Sequence, residues 1–374
     1  MVRRRISSQL WRAWSQKPVA RQQTRQLSLH QHHSQKLLDE SGAPIPQGKV
    51  VRSAEEAKAA ARELGQKTVI SAQVLPARRK GPVQLQDGAG AAGVVVPGPD
   101  RAATVASELL DNVAQAADED IKIKELYVSK AVPYEELWYL AMTVDRESYL
   151  PSIVISKKGQ GRDIQTIAKE SPDSIHSFNF KLTEGVKDDL VQQISQALQL
   201  EGTESESLTT ILRSLHKIFI EKDAMLLEVA SLARTKDGKL ICLDSNFAFD
   251  DDASKRQPDL FALRDKSQEI TDETEAEKYG LVYVRMDGNI GNVVNGAGLA
   301  MATNDAVCLH GGQSANFLDA GGQATTETMM QAFGIILRDT RVKAILLADA
   351  DLGLHVESDF GEAAKKAVEL ANSS

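Results

Sequence analysis

Asp287-Gly288-Asn289-Ile290-Gly291-Asn292-Val293-Val294-Asn295-Gly296-Ala297-Gly298 decides how the last third of this chain is read. An apolar run over 281–286 precedes it, and a helical pattern follows. Four glycines in this strand-to-helix turn leave backbone N–H groups free to face an anion at the helix N-terminus. Taken alone, the same residues are accounted for by plain turn geometry. The plan then repeats: 315–319 reads as a strand before a helix over 325–338, and 344–347 as a strand before a last helix. Strands alternating with helices predict a parallel α/β domain of about three strands.

Upstream the texture differs, and the polar, acidic stretch 266–278 marks the boundary. Helical spacing from Leu29 to Asp39 stops at Gly42-Ala43-Pro44-Ile45-Pro46. Ser53 and Glu56 form a capping-box pattern opening an Ala-rich helix that ends at Gly65. A strand over 68–74 leads into the basic loop Arg78-Arg79-Lys80-Gly81, then a short strand at 94–96 and a helix over 101–117. Three β-rich runs (123–132, 137–144, 151–156) and helices near 186–199 and 205–221 come next. Finally, strands 225–233 and 239–244 flank Lys236-Asp237-Gly238. A three-residue hairpin loop with its glycine in the left-handed region pairs Thr235 with Lys239. Counting outward sets Ala230 opposite Asp244, with Glu228 two residues earlier on the same face.

The chain has 374 residues, room for two or three domains. No apolar run reaches the ~20 residues of a membrane-spanning helix. Cys242 and Cys308 are the only cysteines, with no CxxC pair, so neither a disulfide framework nor a zinc site is indicated. Residues 1–28 carry Arg3, Arg4, Arg5, Arg12, Lys17, Arg21 and Arg25, and the first acidic residue is Asp39. That composition predicts a mitochondrial transit peptide; a basic tail for nucleic acid or anionic lipid is the competing reading. Removal of these seven charges would take the net charge from −8 to about −15, which argues against nucleic acid as a partner of the folded body.

Several motifs stand in a fixed order: Glu221-Lys222-Asp223-Ala224, Ile241-Cys242-Leu243-Asp244, Gln257-Pro258-Asp259-Leu260, Arg264-Asp265, Ser267-Gln268-Glu269, then the Asp287 stretch through Met301, His310-Gly311-Gly312, and Ala315-Asn316-Phe317-Leu318-Asp319-Ala320-Gly321-Gly322. In order and spacing they resemble the β subunits of succinate–CoA ligases, from 29 to about 347. The resemblance implies a fold that is α/β and α+β: an ATP-grasp nucleotide-binding domain over 29–265, a linker over 266–279, and a truncated flavodoxin-like CoA-ligase domain over 280–374. It also implies Mg²⁺, an ATP/ADP or GTP/GDP substrate pair, and location in the mitochondrial matrix. The partner it implies is an α subunit that binds CoA and carries a phosphorylated histidine. The reaction would be the reversible conversion of succinyl-CoA, phosphate and a nucleoside diphosphate to succinate, CoA and the triphosphate. Such phosphoryl transfer rests on positioning and charge neutralisation.

Residue by residue, the resemblance assigns Glu228 to orienting the phosphohistidine, Asp244 to Mg²⁺, Arg79, Lys80 and Gly81 to the nucleotide phosphates, and Asn295 to the organic acid. Read without it, Asp244 is a strand-end carboxylate and Glu228 an ordinary strand residue. This chain also departs from the family pattern. Ser71 replaces a phosphate-contacting lysine and Ala230 a magnesium-ligating asparagine, while Ser129-Lys130 and Leu137 replace carboxylates near the nucleotide. Where Gly-Gly-Ile-Val-Arg-Cys-Asp is expected, Ala348-Asp349-Ala350-Asp351-Leu352-Gly353-Leu354-His355 stands, bringing negative charge to an anion-facing helix start. Three readings follow: a working ligase subunit, a catalytically impaired paralogue that keeps α-subunit binding, or a gene model with a different true C-terminus. His310 is read as structural.

Overall fold

The computed structural model describes residues 26–76, 93–110, 113–115, 120–159, 161–321, 325–347 and 359–373. The described chain divides into two compact units, 26–265 and 266–373.

The first unit opens with β1 (Gln26–Ser28), α1 (Gln31–Glu40), β2 (Gly48–Val51), α2 (Ala54–Leu64), β3 (Lys67–Ala72), β4 (Val94–Pro97) and α3 (Pro99–Leu110). Next come β5 (Val113–Gln115), β6 (Asp120–Lys122), β7 (Leu126–Lys130), β8 (Glu136–Asp145), β9 (Leu150–Ser156), α4 (Ile164–Glu170) and β10 (Ile175–Asn179). It closes with α5 (Asp188–Leu198), α6 (Gly202–Glu221), β11 (Ala224–Arg234), β12 (Leu240–Asp250) and the single turn α7 (Pro258–Phe261). Two larger antiparallel sheets result, ordered β1-β12-β11-β8-β9-β10 and β2-β7-β3-β4.

Strand alternation sorts β8 onto two faces. Trp138, Leu140 and Met142 are fully buried against Ile194, Leu208, Leu212 and Leu215 of α5 and α6. The side chains between them, Tyr139 and Ala141, therefore turn to the opposite face, where Ile167 and Ala168 of α4 pack. In the smaller sheet, Ile70, Val96 and Val128 bury against Ala57, Ala61, Val105 and Leu109 of α2 and α3. Ser53 Oγ accepts from Glu56 N, as its spacing predicts, while the Glu56 carboxylate accepts from Arg52 N. Helix α2 stops at Gly65, whose φ is +119°.

Helix α1 joins the two sheets through side-chain amides. Gln31 Nε2 and Gln35 Nε2 donate to the carbonyls of Leu243 and Cys242, each at 3.3 Å, and Cys242 N donates to Pro44 O at 2.9 Å. These contacts cap the outer edge of β12, which β1 pairs over residues 248–250 and where Leu29 N donates to Phe247 O at 3.2 Å. On the other side, Gln73 Oε1 accepts from His32 N at 3.1 Å and from His32 Nδ1 at 3.0 Å, while Gln73 Nε2 donates to Gln31 Oε1 at 3.3 Å. Strand β1 lies inside the stretch read as leader; Leu27 is buried, so 26–28 belong to the folded unit.

The second unit holds α8 (Thr271–Lys278), β13 (Val282–Arg285), β14 (Ile290–Val293), α9 (Ala297–Leu309), β15 (Asn316–Asp319), α10 (Thr326–Arg338), β16 (Ala344–Leu347) and α11 (Phe360–Ser373). Helix α8 falls in the stretch read as linker, yet its Ala276 is buried in this unit's core. Helices α8 and α10 cover one face of the strands, and α9 and α11 the other. Two expectations are corrected here. The strand over 281–286 is antiparallel to its neighbour β15, so the strands are mixed rather than all parallel. Residues 290–293, read as part of a glycine-rich turn, form a fourth strand, fully buried and parallel to β16. The glycines of that stretch explain the misreading, because they serve packing. A Cβ on Gly291 would stand 2.6 Å from Ile336 Cγ2, and one on Gly288 2.1 Å from the Gln313 carbonyl oxygen.

Candidate functional site

The hairpin that carries the candidate metal and catalytic residues starts as the sequence predicts. Thr235 N donates to Lys239 O at 2.9 Å, and Gly238 sits at φ +75°. Simple counting holds through Leu232↔Cys242 and then fails, because Asp244 pairs with Ser231, not with Ala230. A second irregularity, between Ser231 and Glu228, restores the count, so Glu228 pairs with Asn246. Two compensating bulges therefore shift one register position locally and leave its neighbours in place. Strand β11 is irregular against β8 over the same residues, between Val229 and Leu232.

On the face opposite the α5 and α6 core, β8, β11 and β12 bring Tyr139, Glu228 and Asn246 together. The Tyr139 hydroxyl donates to Glu228 Oε1 at 2.8 Å, and Asn246 Nδ2 donates to Glu228 Oε2 at 3.2 Å. Both carboxylate oxygens are thus held. Asp244, only 6% exposed, lies two residues from Asn246 along β12 and hence on the same face. Asp163, the N-cap of α4, accepts from Thr166 N at 2.8 Å and faces this group too. The loop before it runs close over β8: a Cβ on Gly159 would stand 2.5 Å from Trp138 C and from Tyr139 N.

Burial raises the Glu228 pKa above the ordinary value, opposed by the hydrogen bonds from Tyr139 and Asn246 and reinforced by the charges of Asp244 and Asp163. Burial, with Glu228 beside it, pushes the Tyr139 phenol far up, so Tyr139 is a fixed proton donor. Among the described residues no group of three or more His, Cys, Asp or Glu is arranged to hold a metal ion. The chemistry of the local donors nevertheless suits Mg²⁺: they are all hard oxygens, Asp244 and Glu228 are close enough to repel, and Mg²⁺ takes one or two protein carboxylates and keeps several waters.

Ser71 lies on β3 opposite Tyr127, under the backbone of Gly93, where a Cβ would approach Ser71 Oγ to 2.4 Å. Ser129 is buried in the ladder between β2 and β3, and Lys130 is exposed at the strand end. Leu137 pairs with Ala233, and the glutamates beside it have other partners: Glu135 accepts from Arg234 and Glu136 from Trp138 Nε1, each at 2.7 Å. Arg79, Lys80 and Gly81, and the 349–355 stretch, lie outside the described residues. In the second unit Asn295 is exposed just ahead of α9, whose N-cap Gly296 has φ +108° and no side-chain cap. Asp319 Oδ1 accepts from Gly296 N at 2.7 Å and from Gly321 N at 2.8 Å, which fixes the loop that presents Asn295. His310 is the C-cap of α9.

Sequence reading missed Tyr139, Asp163 and Asn246. Counting outward from Thr235 and Lys239 does set Asn246 opposite Glu228, so that signal was available. Nothing distinguished Tyr139 in an apolar strand.

The chain matches an ATP-grasp domain over residues 28–234 and a CoA-ligase domain over 293–373. It is 39% identical to the mitochondrial β subunit of the ADP-forming succinate–CoA ligase of Neurospora crassa, across 88% of this chain and 74% of that protein. To the corresponding Saccharomyces cerevisiae subunit it is 37% identical, across 88% and 78%. To the mitochondrial β subunit of the GDP-forming enzyme of Dictyostelium discoideum it is 36% identical, across 87% and 78%. In fold it is similar to ATP citrate lyase from Methanothrix soehngenii in complex with citrate and coenzyme A, with TM-score 0.57 and 16% identity, across 87% of this chain and 82% of that one.

Proposed function

This chain belongs to the family of succinate–CoA ligase β subunits, and from that membership we propose that it works as the nucleotide- and succinate-binding subunit of such a ligase, paired with an α subunit in the mitochondrial matrix. The observation that carries the proposal is the grip on Glu228. Tyr139 and Asn246 fix both of its oxygens on a sheet face that also holds Asp244. A carboxylate so fixed can orient the imidazole of an incoming phosphohistidine without reorganising during transfer.

Asp244 would hold Mg²⁺, which supplies charge neutralisation to the phosphates when bound. Arg79, Lys80 and Gly81 would meet the phosphates, and Asn295, at the uncapped start of α9, the succinate carboxylate. The domains would be nucleotide-binding over 29–265 and CoA-ligase over 280–374. Ser71 supplies no cation where the family pattern has lysine, so turnover would be slower than with that charge in place.

The proposal is tested by co-expressing the full chain with a succinate–CoA ligase α subunit, phosphorylating the complex, and adding ADP or GDP with Mg²⁺. Nucleotide-dependent loss of the phosphoryl group is expected, and Glu228→Gln should abolish it without dissociating the complex. A complex that keeps its phosphoryl group with either nucleotide would overturn the reading.

A further inference from the structure

Position 230 cannot supply an amide to the cation, because its side chain is a methyl group and because the bulge turns Ser231, not Ala230, to the place opposite Asp244. An amide stands instead on β12 itself. Asn246 is two residues from Asp244 and paired across the ladder with Glu228. Its Nδ2 is committed to Glu228 at 3.2 Å. Its Oδ1 is buried and accepts no hydrogen bond.

A buried carbonyl oxygen without a donor is costly, about 1–3 kcal/mol, unless something electropositive meets it. Among the described residues no neighbouring donor serves, and Ser231 Oγ, opposite Asp244, makes no hydrogen bond to the Asn246 oxygen. Tyr139 is spent on Glu228, and Asp244 and Asp163 are acceptors. The surroundings, two carboxylates from Asp244 and Glu228, favour a cation over any neutral donor. An amide oxygen and a carboxylate on one strand face form the hard-oxygen pair that Mg²⁺ accepts beside phosphate and water.

We infer that Asn246 is a ligand of the divalent cation in this chain, giving Oδ1 to the metal and Nδ2 to Glu228, so that one side chain couples the cation to the carboxylate. The inference rests on the proposed role of Asp244. It adds a residue that the family pattern does not assign, and it makes the cation site a property of β12 rather than of both hairpin strands.

Mn²⁺ binding tests it directly. The full chain is titrated with Mn²⁺ in the presence of ADP and, in parallel, GDP, and free Mn²⁺ is read by electron paramagnetic resonance. Asn246→Leu should weaken Mn²⁺ about tenfold or more, while Asn246→Asp, which keeps an oxygen but loses the N–H donated to Glu228, should bind within a few-fold of the unaltered chain. A role confined to holding Glu228 predicts instead that the two variants, which both lose that N–H, bind Mn²⁺ alike, and that result would overturn the inference. Should Asn246→Leu not fold, Asn246→Ala also removes the oxygen and takes its place. If Asp244→Ala loses Mn²⁺ while the Asn246 variants bind as the unaltered chain does, this inference fails and the role of Asp244 stands. If the unaltered chain binds no Mn²⁺ with either nucleotide, both fail.

Discussion

The hydroxyl of Tyr139 stands 2.8 Å from Glu228 Oε1, bridging two neighbouring strands on the face turned away from the main hydrophobic core. The contact aims the carboxylate and removes one of its rotational choices. Tyr139→Phe keeps the ring and deletes that donor. A hydrogen bond to a charged group contributes about 1.5–3 kcal/mol, so phosphoryl transfer in the αβ complex should slow by roughly ten- to a hundredfold with nucleotide KM little changed. Single-turnover dephosphorylation measures the first and a nucleotide titration the second. An unaltered transfer rate would refute a positioning role for Tyr139.

Glu228 also carries a pH signature. Its pKa is raised from 4.5 by burial first, so the folded state holds the proton more tightly than the unfolded chain does. The stabilisation that follows is complete below pH 4.5 and is lost as the pH climbs through the raised value. Glu228→Gln imitates the protonated form. It should melt higher than the unaltered protein at pH 7 to 8, with each kcal/mol worth about 2–4 °C, and the gain should vanish toward pH 4.5. Thermal unfolding across that range reads it, and an equal shift at all pH values would contradict the assignment.

Gln73 is fully buried and makes hydrogen bonds on both sides of its amide. Because Oε1 only accepts, His32 must present Nδ1–H to it, in keeping with the burial that lowers the His32 pKa and holds the ring neutral. Gln73→Leu would strand His32 N, His32 Nδ1 and Gln31 Oε1. A loss of about 2–4 kcal/mol is expected from unpaired buried groups of this kind, read as a lower urea midpoint with unchanged slope. A midpoint within error of the parent would mean that the α1 junction does not depend on this amide.

Ser71 tests the missing charge. Ser71→Lys, on the face of β3 away from the α2 and α3 core, should tighten nucleotide binding by roughly ten- to a hundredfold, the value of one charge-assisted contact. Calorimetric titration with ADP and GDP measures it. Gly93 packs closely over this position, so the variant's melting temperature belongs beside the affinity.

Much of this arrangement was legible in the residues. The Lys236-Asp237-Gly238 turn defined the β11–β12 hairpin, and the run 137–144 was legible as a strand, though not which of its faces is core. Two further parts were not legible, for definite physical reasons. Bulges are written in no single residue type, so the displacement of Ala230 by Ser231 could not be counted from the turn. Strand β14 hid inside a glycine-rich run, because glycine there answers to the closeness of Ile336 and of the Gln313 carbonyl, which only tertiary packing shows. The family pattern carried the assignments of Asp244 and Glu228 but was silent on Asn246 and Tyr139, whose roles come from cross-strand neighbours.

The glutamines of α1 have a consequence beyond the site. By occupying the outward carbonyls of Cys242 and Leu243, Gln31 and Gln35 stand where another strand would otherwise zip on, and a short helix ends the sheet. Detachment of that helix would uncover a ready template for intermolecular pairing. Pairing of a second chain along this stretch of β12 therefore requires the first helix to leave it.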